Sequence, residues 1–401
     1  MEANKNAIPY IFRIASIAAL GGLLFGYDTA VISGTVGSLE IFFIDPLGLT
    51  ENADNSLLGI VVSSVLVGCV IGGLVSGLVS LKLGRKNGLI LAALLFLLSA
   101  LGSAMPEMFF VPIGEGDYTF LNMFVIYRFI GGIGVGMASM LSPVYIAEMA
   151  PANIRGKIVS LNQLAIIFGM LVVYFVNYFI AGLGDEIWLN KIGWRWMFAS
   201  EVIPASIFLF FLFFVPETPR YLVLKAQEEK ALNVLKKIYE LSLALKIIVE
   251  IKETVVHKSG KLFSYGTPVI VIGILLAAFQ QFVGINVVLY YAPEIFKNMG
   301  SVTDTALLQT IVVGFINLSF TVLAIFTVDK IGRKRLQIIG ALGMAFFMLA
   351  LGFSFFSQKL GFIAIIFIMG YVACFAMSWG RSPGFFFLKF FLTVFEGGLC
   401  Q

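Results

Sequence analysis

Charge is the scarcest commodity in this 401-residue chain: Asp, Glu, Lys and Arg make up 12% of it, against 59% hydrophobic residues and 40 Phe. Soluble domains carry roughly 25% charged residues, so a soluble globular protein is excluded. The chain reads instead as an all-α polytopic membrane protein. Cysteine is nearly missing. Cys69, Cys374 and Cys400 have no paired spacing, which excludes a disulfide framework and a cysteine metal site. The one histidine, His257, lies in a polar stretch and reads as a solvated loop residue. No nucleophile–base pair and no metal-ligand cluster stands out, so no enzyme, cofactor or metal is expected. Met1–Arg13 lacks a small-residue cleavage site before the first apolar run, so that run is expected to be a retained helix rather than a signal peptide.

The net charge of +4 says less than its distribution. Lys82, Arg85 and Lys86 sit together, as do Arg155 and Lys157. Nine further basic residues fall in 220–261 and another group in Lys330–Arg335. The alternate loops, around Asp45–Asp54, Glu107–Asp117, Asp185–Glu186 and Ser301–Asp304, are acidic or neutral. Positive charge marks the cytoplasmic side, so the N-terminus is expected inside. The basic clusters are short and spaced as membrane loops, which argues against a nucleic-acid partner; the expected surroundings are a lipid bilayer.

Apolar segments near 9–34, 56–81, 88–105, 121–145, 157–182, 194–215, 268–292, 305–328, 336–357 and 361–379 are each long enough to span, a span needing about 20 residues. They form two blocks separated by 216–265. That stretch has helical apolar spacing with charges between, the pattern of short amphipathic cytoplasmic helices. "LKLGRKNG" follows the second span and "DKIGRKRL" the second of the later block. Matching motifs at matching positions point to duplicated bundles, an architecture common in secondary transporters.

Asp28, in "LGGLLFGYDTAVISG", is the only charge between Arg13 and Glu40. An unpaired buried charge costs several kcal/mol or more, so it demands a partner or a function. Arg128 opens "RFIGGIGVGMASM", and Glu201 lies in "WRWMFASEVIPASIF". Two readings are open. Arg128 and Glu201 extend to an interface, or the three residues form a buried charge cluster in which Asp28 pairs with Arg128 when ionised. The glycines at 131–136 look superficially like a dinucleotide fingerprint, but no strand precedes them. Gly132 and Gly136 fit better as a small-xxx-small pair that lets two membrane helices approach.

"AAFQQFVGINVVLYYAPEIF" (277–296) places Gln280, Gln281, Asn286, Tyr290 and Tyr291 in an apolar span. Amides both donate and accept, which suits a neutral polyol. Gly284 and Pro293 are where that helix could bend. Gln163 and Asn317 are isolated amides in other spans, readable singly as interhelical glue and as a set converging on one cavity as substrate ligands.

These stretches, with "VPETPRYL", "TVDKIGRKRLQIIGALGMA" and "FAMSWG", resemble the sugar porter branch of the major facilitator superfamily over about 10–380. The resemblance implies two bundles of membrane helices with alternating access around a central sugar site. A six-helix bundle is expected over 1–215, a cytoplasmic linker over 216–265 and an incomplete second bundle, about four of six helices, over 266–380. It further implies a monomeric proton-coupled symporter of the cytoplasmic inner membrane, carrying a monosaccharide such as D-xylose or a similar aldose. By matched position, Asp28, Arg128 and Glu201 are implied in proton coupling. Gln163, Gln280, Gln281, Asn286, Asn317 and Trp379 are implied as sugar contacts, with Phe25 and Tyr290 lining or closing the site. Glu148 with Arg155, Glu217 with Arg220, and Arg85 and Arg333 of the two Gly-Arg-Lys loops are implied in a cytoplasmic charge clamp.

There are departures. Met170 stands where pentose symporters of the branch have a sugar-binding Gln and hexose carriers tend to be apolar, and Leu81–Lys82 replace the usual Asp/Asn-Arg of the first loop. A facilitative hexose carrier and a non-translocating sugar sensor are the alternatives; Asp28, where facilitators tend to have Asn, disfavours the first, and the lack of long signalling tails the second. After Gly380 the pattern is lost. Read one base out of register, with free choice among synonymous codons, the tail 381–401 continues as the family would, a second "IRG" loop included. It is expected to be an out-of-frame tail, and the 401-residue chain as written is expected not to perform coupled transport.

Overall fold

The computed structural model describes residues 7–112, 114–256, 267–357 and 362–380. His257, the Arg333 side chain and the tail 381–401, on which expectations above rest, lie outside the described residues.

Within hydrocarbon every backbone N–H and C=O must be bonded inside the protein, and a long apolar run achieves this as a helix. The runs do so as α1 (Ile8–Val31), α2 (Glu51–Leu83), α3 (Arg85–Ala104), α4 (Leu121–Met149) and α5 (Arg155–Ala181). The sixth run is assembled from pieces: α6 (Trp194–Ala199) and α7 (Val202–Leu212) are separated at Ser200–Glu201. Three short helices follow, α8 (Pro219–Leu224), α9 (Glu228–Leu235) and α10 (Leu241–Val256), packed on one another through Ala231, Leu235, Ala244 and Ile248. The second group comprises α11 (Thr267–Phe282), α12 (Ile285–Tyr290), α13 (Ala292–Asn298), α14 (Thr303–Ile331), α15 (Arg333–Phe356) and α16 (Phe362–Ser378).

Among the described residues, eight helices are long and apolar enough to cross a membrane, and a bent pair makes a ninth span. The apolar run of Ile363–Ser378 is shorter than those. The single span expected near 268–292 is broken instead. Gly284 turns the chain at φ +80°, in the left-handed region that glycine tolerates, and the piece from Ala292 is bent 67° from the one before it.

The two Gly-Arg-Lys loops share a geometry. Gly84 (φ +95°) and Gly332 (φ +88°) each form the whole turn between consecutive long helices. A side chain at such φ is strained, so glycine there fixes a one-residue reversal. In the first group α2 packs on α4, α1 on α5, and α3 on α4 and α7; in the second, α16 packs on α14 and α15. The groups meet mainly where α5 lies along α14. One end of the assembly carries the Lys82–Lys86 and Arg155–Lys157 turns and α8–α10 (the basic end); the other carries Asp45–Asp54 and Glu107–Asp117 (the acidic end).

Candidate functional site

Asp28 sits one turn before the acidic end of α1, and α4 brings Arg128 against it. Both side chains are fully buried, with Arg128 Nη1 donating to Asp28 Oδ1 at 2.5 Å and Nη2 to the Asp28 carbonyl at 3.2 Å. Glu201, at the break between α6 and α7, is also fully buried and lies within electrostatic reach of both. Arg128 and Glu201 therefore do not extend to an interface. One guanidinium faces two carboxyl groups, so at most one carboxylate is neutralised by pairing. Arg128 Nε has no hydrogen-bond partner among the described residues, and the Glu201 carboxyl faces Asp28 closely enough to share a hydrogen bond when one of the two holds a proton.

Two supports of this cluster escaped sequence reasoning. Tyr27 and Ser200 share a hydrogen bond of 2.7 Å, tying α1 to the helix break beside Glu201. Phe198 lies under Arg128, its ring centroid 5.3 Å from the guanidinium carbon. Further toward the acidic end, Arg195 forms a second buried pair with Glu107 at 2.7 Å and stacks on Trp194 at 4.6 Å. Burial by itself would push the Glu107 carboxyl up. The Arg195 guanidinium and the Gly114 N–H outweigh it and hold the group below its ordinary value. The signal available in advance was a cation flanked by aromatics, "WRWMF", where an isolated charge in an apolar run needs an anion.

The polar residues of 277–296 divide between the broken helix and its neighbours. Gln280 Nε2 donates to the Trp379 carbonyl at 3.0 Å, and Asn286 Nδ2 to Gln281 Oε1 at 3.0 Å. The Trp379 indole N–H is held by the Gln337 carbonyl at 3.2 Å. Tyr290 is buried in the same apolar cluster as Tyr27, with Met170 and Trp379 packed against it. Tyr290 also lies within electrostatic reach of Asp28 and Arg128, and its helix α12 packs against α1, so the second group of helices comes close to the charge cluster. Gln163 is half-buried on α5 and Asn317 buried on α14, two helices packed along each other; Phe25 is half-buried on α1.

At the acidic end the groups are closed on each other. Tyr174 Oη donates to the Leu289 carbonyl at 3.3 Å, Phe175 meets Phe315 edge-on at 5.7 Å, and the Glu294–Lys297 pair lies against Gly37.

At the basic end Arg85 takes Glu148 as partner, at 2.7 Å from Nη2 and 3.1 Å from Nε. Arg155 Nε donates to the Ala150 carbonyl at 3.4 Å, and Arg155 and Arg220 line a cavity of about 390 Å³ with Glu148 and Glu250. Glu217 caps α3 from across the chain. It accepts from the backbone N–H of Arg85 (3.1 Å), Lys86 (3.1 Å) and Thr218 (2.9 Å). The first two are orphan donors of the α3 N-terminus, where a carboxylate is favoured. Burial nevertheless raises Glu217 above its ordinary value, because the three N–H bonds recover only part of the lost hydration. A raised carboxyl favours the folded state on the acid side, and that increment is lost as pH rises through the raised value. Glu217→Ala is expected to lower stability by about 1 kcal/mol, as loss of a cap does, while Glu217→Gln stays close to the parent; thermal unfolding of the purified proteins in detergent checks both.

Residues 14–393 match the family model for "Sugar (and other) transporter". The D-xylose-proton symporter of Escherichia coli strain K12 is 58% identical over 389 residues, covering 95% of this chain and 79% of that protein. The glucose facilitated diffusion protein of Zymomonas mobilis is 42% identical over 382 residues, covering 94% and 80%. The xylose transporter XylE from E. coli, solved in a partially occluded inward-open conformation, superposes with a TM-score of 0.87 at 55% identity, covering 97% of this chain and 89% of that one. The class is thus a multi-pass membrane transporter of the major facilitator fold. Within it, this chain belongs to the sugar transporter family.

Proposed function

We propose that the chain carries a monosaccharide, D-xylose or a similar aldose, together with a proton across the cytoplasmic membrane by alternating access. The observation that carries this reading is the fully buried Asp28–Arg128 pair in the first group of helices, with α12 of the second group packed against the helix that bears Asp28. A facilitator has no use for a titratable carboxyl in that place. A symporter does: protonating Asp28 releases Arg128, and deprotonating it restores the pair, so the contact between helix groups becomes conditional on the proton. Glu201 shares the cluster and completes the coupling. Gln163, Gln280, Gln281, Asn286 and Asn317, with Trp379, offer the sugar hydroxyls donors and acceptors; Phe25 and Tyr290 line the site. The breaks at Gly284 and Tyr291 supply the bends by which α12 and α13 open or close over it.

The basic end is cytoplasmic by the positive-inside rule, which places the N-terminus inside. The contacts at the acidic end then correspond to a state closed to the outside. Residues 1–215 and 266–380 act as the two moving bundles, 216–265 as the linker between them, and a single copy in the bilayer suffices. Glu148, Arg155, Glu217, Arg220, Arg85 and Arg333 latch the basic end in the opposite state. Met170, packed in the apolar cluster, favours a second reading, facilitated diffusion of a hexose, as the name of the Zymomonas mobilis relative describes for that protein.

Purified protein in liposomes loaded with a pH-sensitive dye separates the two readings. Adding D-xylose outside, with no imposed gradient, is expected to draw protons into the lumen in step with sugar. Sugar entry with no proton movement would favour the facilitator.

A further inference from the structure

The buried pair lies close to the acidic end, and what separates it from that end is aromatic. Phe43, Phe124, Trp194 and Phe198 are each 0% exposed. Phe124 lies 5.6 Å from Phe43, 6.0 Å from Trp194 and 5.3 Å from Phe198, ring centre to ring centre. Trp194 lies 5.5 Å from Phe43 and 6.4 Å from Phe198. The four rings form one continuous patch built from α4, α6 and the helical segment Glu40–Ile44 that continues the first run beyond α1. A cation sits on either side of it: Arg128 against Phe198 at 5.3 Å, and Arg195 against Trp194 at 4.6 Å, the latter paired with Glu107 of the loop beyond. Phe124 precedes Arg128 by four residues, about 6 Å along the axis, so this layer is thin.

We infer that these four rings are a proton seal, closing the route from Asp28 through the acidic end of the first helix group in every state of the transport cycle and leaving the cleft between the two groups as its way to outside water. The inference rests on the symport reading above. Coupling requires that Asp28 exchange protons with one side at a time. A route between the two helix groups is opened and closed by their relative motion. A route through the end of the first group would not be, because α1, α4 and α6 belong to one packed body; such a route would connect Asp28 to the outside even when the sugar site faces inward. The pathway must therefore be shut permanently, and apolar rings shut it without offering a hydrogen bond to a proton-carrying water chain. Phe198 is also a positioning residue. A ring face attracts a desolvated guanidinium, so Phe198 holds Arg128 toward Asp28 where water would otherwise compete for it. The outer pair, Arg195 with Glu107, fastens the loop that backs the layer.

The test uses the full chain in liposomes with an internal pH dye, an outside acid step, potassium and valinomycin to balance charge, and no sugar. Phe124→Ala is expected to admit protons several-fold faster than the parent, while sugar counterflow, which needs no net proton movement, is retained. Phe124→Met, which keeps the bulk, is expected to stay tight. The leak is expected to vanish in Phe124→Ala/Asp28→Asn, because it runs through that carboxyl. If Phe124→Ala fails to assemble, Phe43→Ala opens the same layer from the other side. A parental leak rate in a variant that still exchanges sugar would overturn the seal, as would a leak that survives Asp28→Asn. Failure of the symport reading is read separately, in the parent protein, as sugar entry without proton movement.

Discussion

Asp28→Asn is expected to abolish proton-driven accumulation while leaving sugar binding and counterflow in place. A gradient of one pH unit is worth about 1.4 kcal/mol per proton, enough for about tenfold accumulation at one proton per sugar; the variant should equilibrate with no accumulation at all. The amide keeps the shape of the carboxyl and an oxygen that can accept from Arg128 Nη1, but it holds no proton. It also leaves Arg128 buried without its first counter-charge. Glu201, fully buried and within reach of Arg128, can supply the second, so the single variant should fold. Asp28→Asn combined with Glu201→Gln removes both carboxylates, and an orphaned buried charge costs about 3–5 kcal/mol. Uptake of labelled D-xylose into liposomes under an imposed pH gradient, with thermal unfolding alongside, measures both effects. Accumulation unchanged in Asp28→Asn would end the coupling assignment.

The second large effect is expected at the crossing of α2 and α4. A methyl group added at Gly132 would fall onto the Val65 carbonyl oxygen, and one at Gly136 onto that of Cys69. From the other helix, Gly68 meets the Phe129 carbonyl and Gly72 that of Ile133 in the same way. Backbone meets backbone at all four points, so no side chain can move aside to make room. Gly132→Val is therefore placed at the severe end of overpacking, about 3 kcal/mol or more, and should sharply reduce the yield of assembled protein. Gly73 on α2 is the control: nothing lies within 4 Å of a Cβ added there, and Gly73→Val should be close to neutral. Size-exclusion profiles and melting temperatures in detergent would distinguish the two. Equal loss at both positions would point to the helix rather than the crossing.

Both predictions begin from residues that the sequence already set apart, but for different reasons. Gly132 and Gly136 were legible because glycines four apart in an apolar helix make a groove, and only close helix packing uses one. Which helix fills the groove was not legible: Gly68 and Gly72 carry the same four-residue spacing, but they lie sixty or more residues away and nothing in the sequence joins the two pairs. Asp28 stood out because nothing near it in the chain could neutralise it. Its pairing with Arg128 was one of two readings that the scarcity of charge in the spans left open, and the family resemblance favoured it.

The clamp shows the limit of that resemblance. It brought Glu148, Arg155, Glu217 and Arg220 into one group but did not say that Arg85 would bind Glu148, or that Glu217 would spend both oxygens on the backbone of α3. The aromatic layer is a further case. Forty phenylalanines in a membrane protein give no hint of which three will meet around a tryptophan; Phe43, Phe124, Trp194 and Phe198 are joined only by the way three helical segments come together.

By itself the sequence determined the membrane class, most of the helical spans, the repeated Gly-Arg-Lys loops, Gly284 and Pro293 as places where a helix could bend, and the anomaly at Asp28. All of these follow from short-range physics: the length of an apolar run, the φ a glycine allows, the cost of a lone charge in hydrocarbon. Tertiary structure alone decided which partners close each charge, where Glu217 caps, which rings stack and which end of the assembly is shut. In a bilayer a helix face gains little by choosing protein over lipid on hydrophobicity, because both are equally apolar. Partners are therefore selected by shape, close packing and a few polar contacts distributed over distant parts of the chain, and these exist only once the helices are side by side.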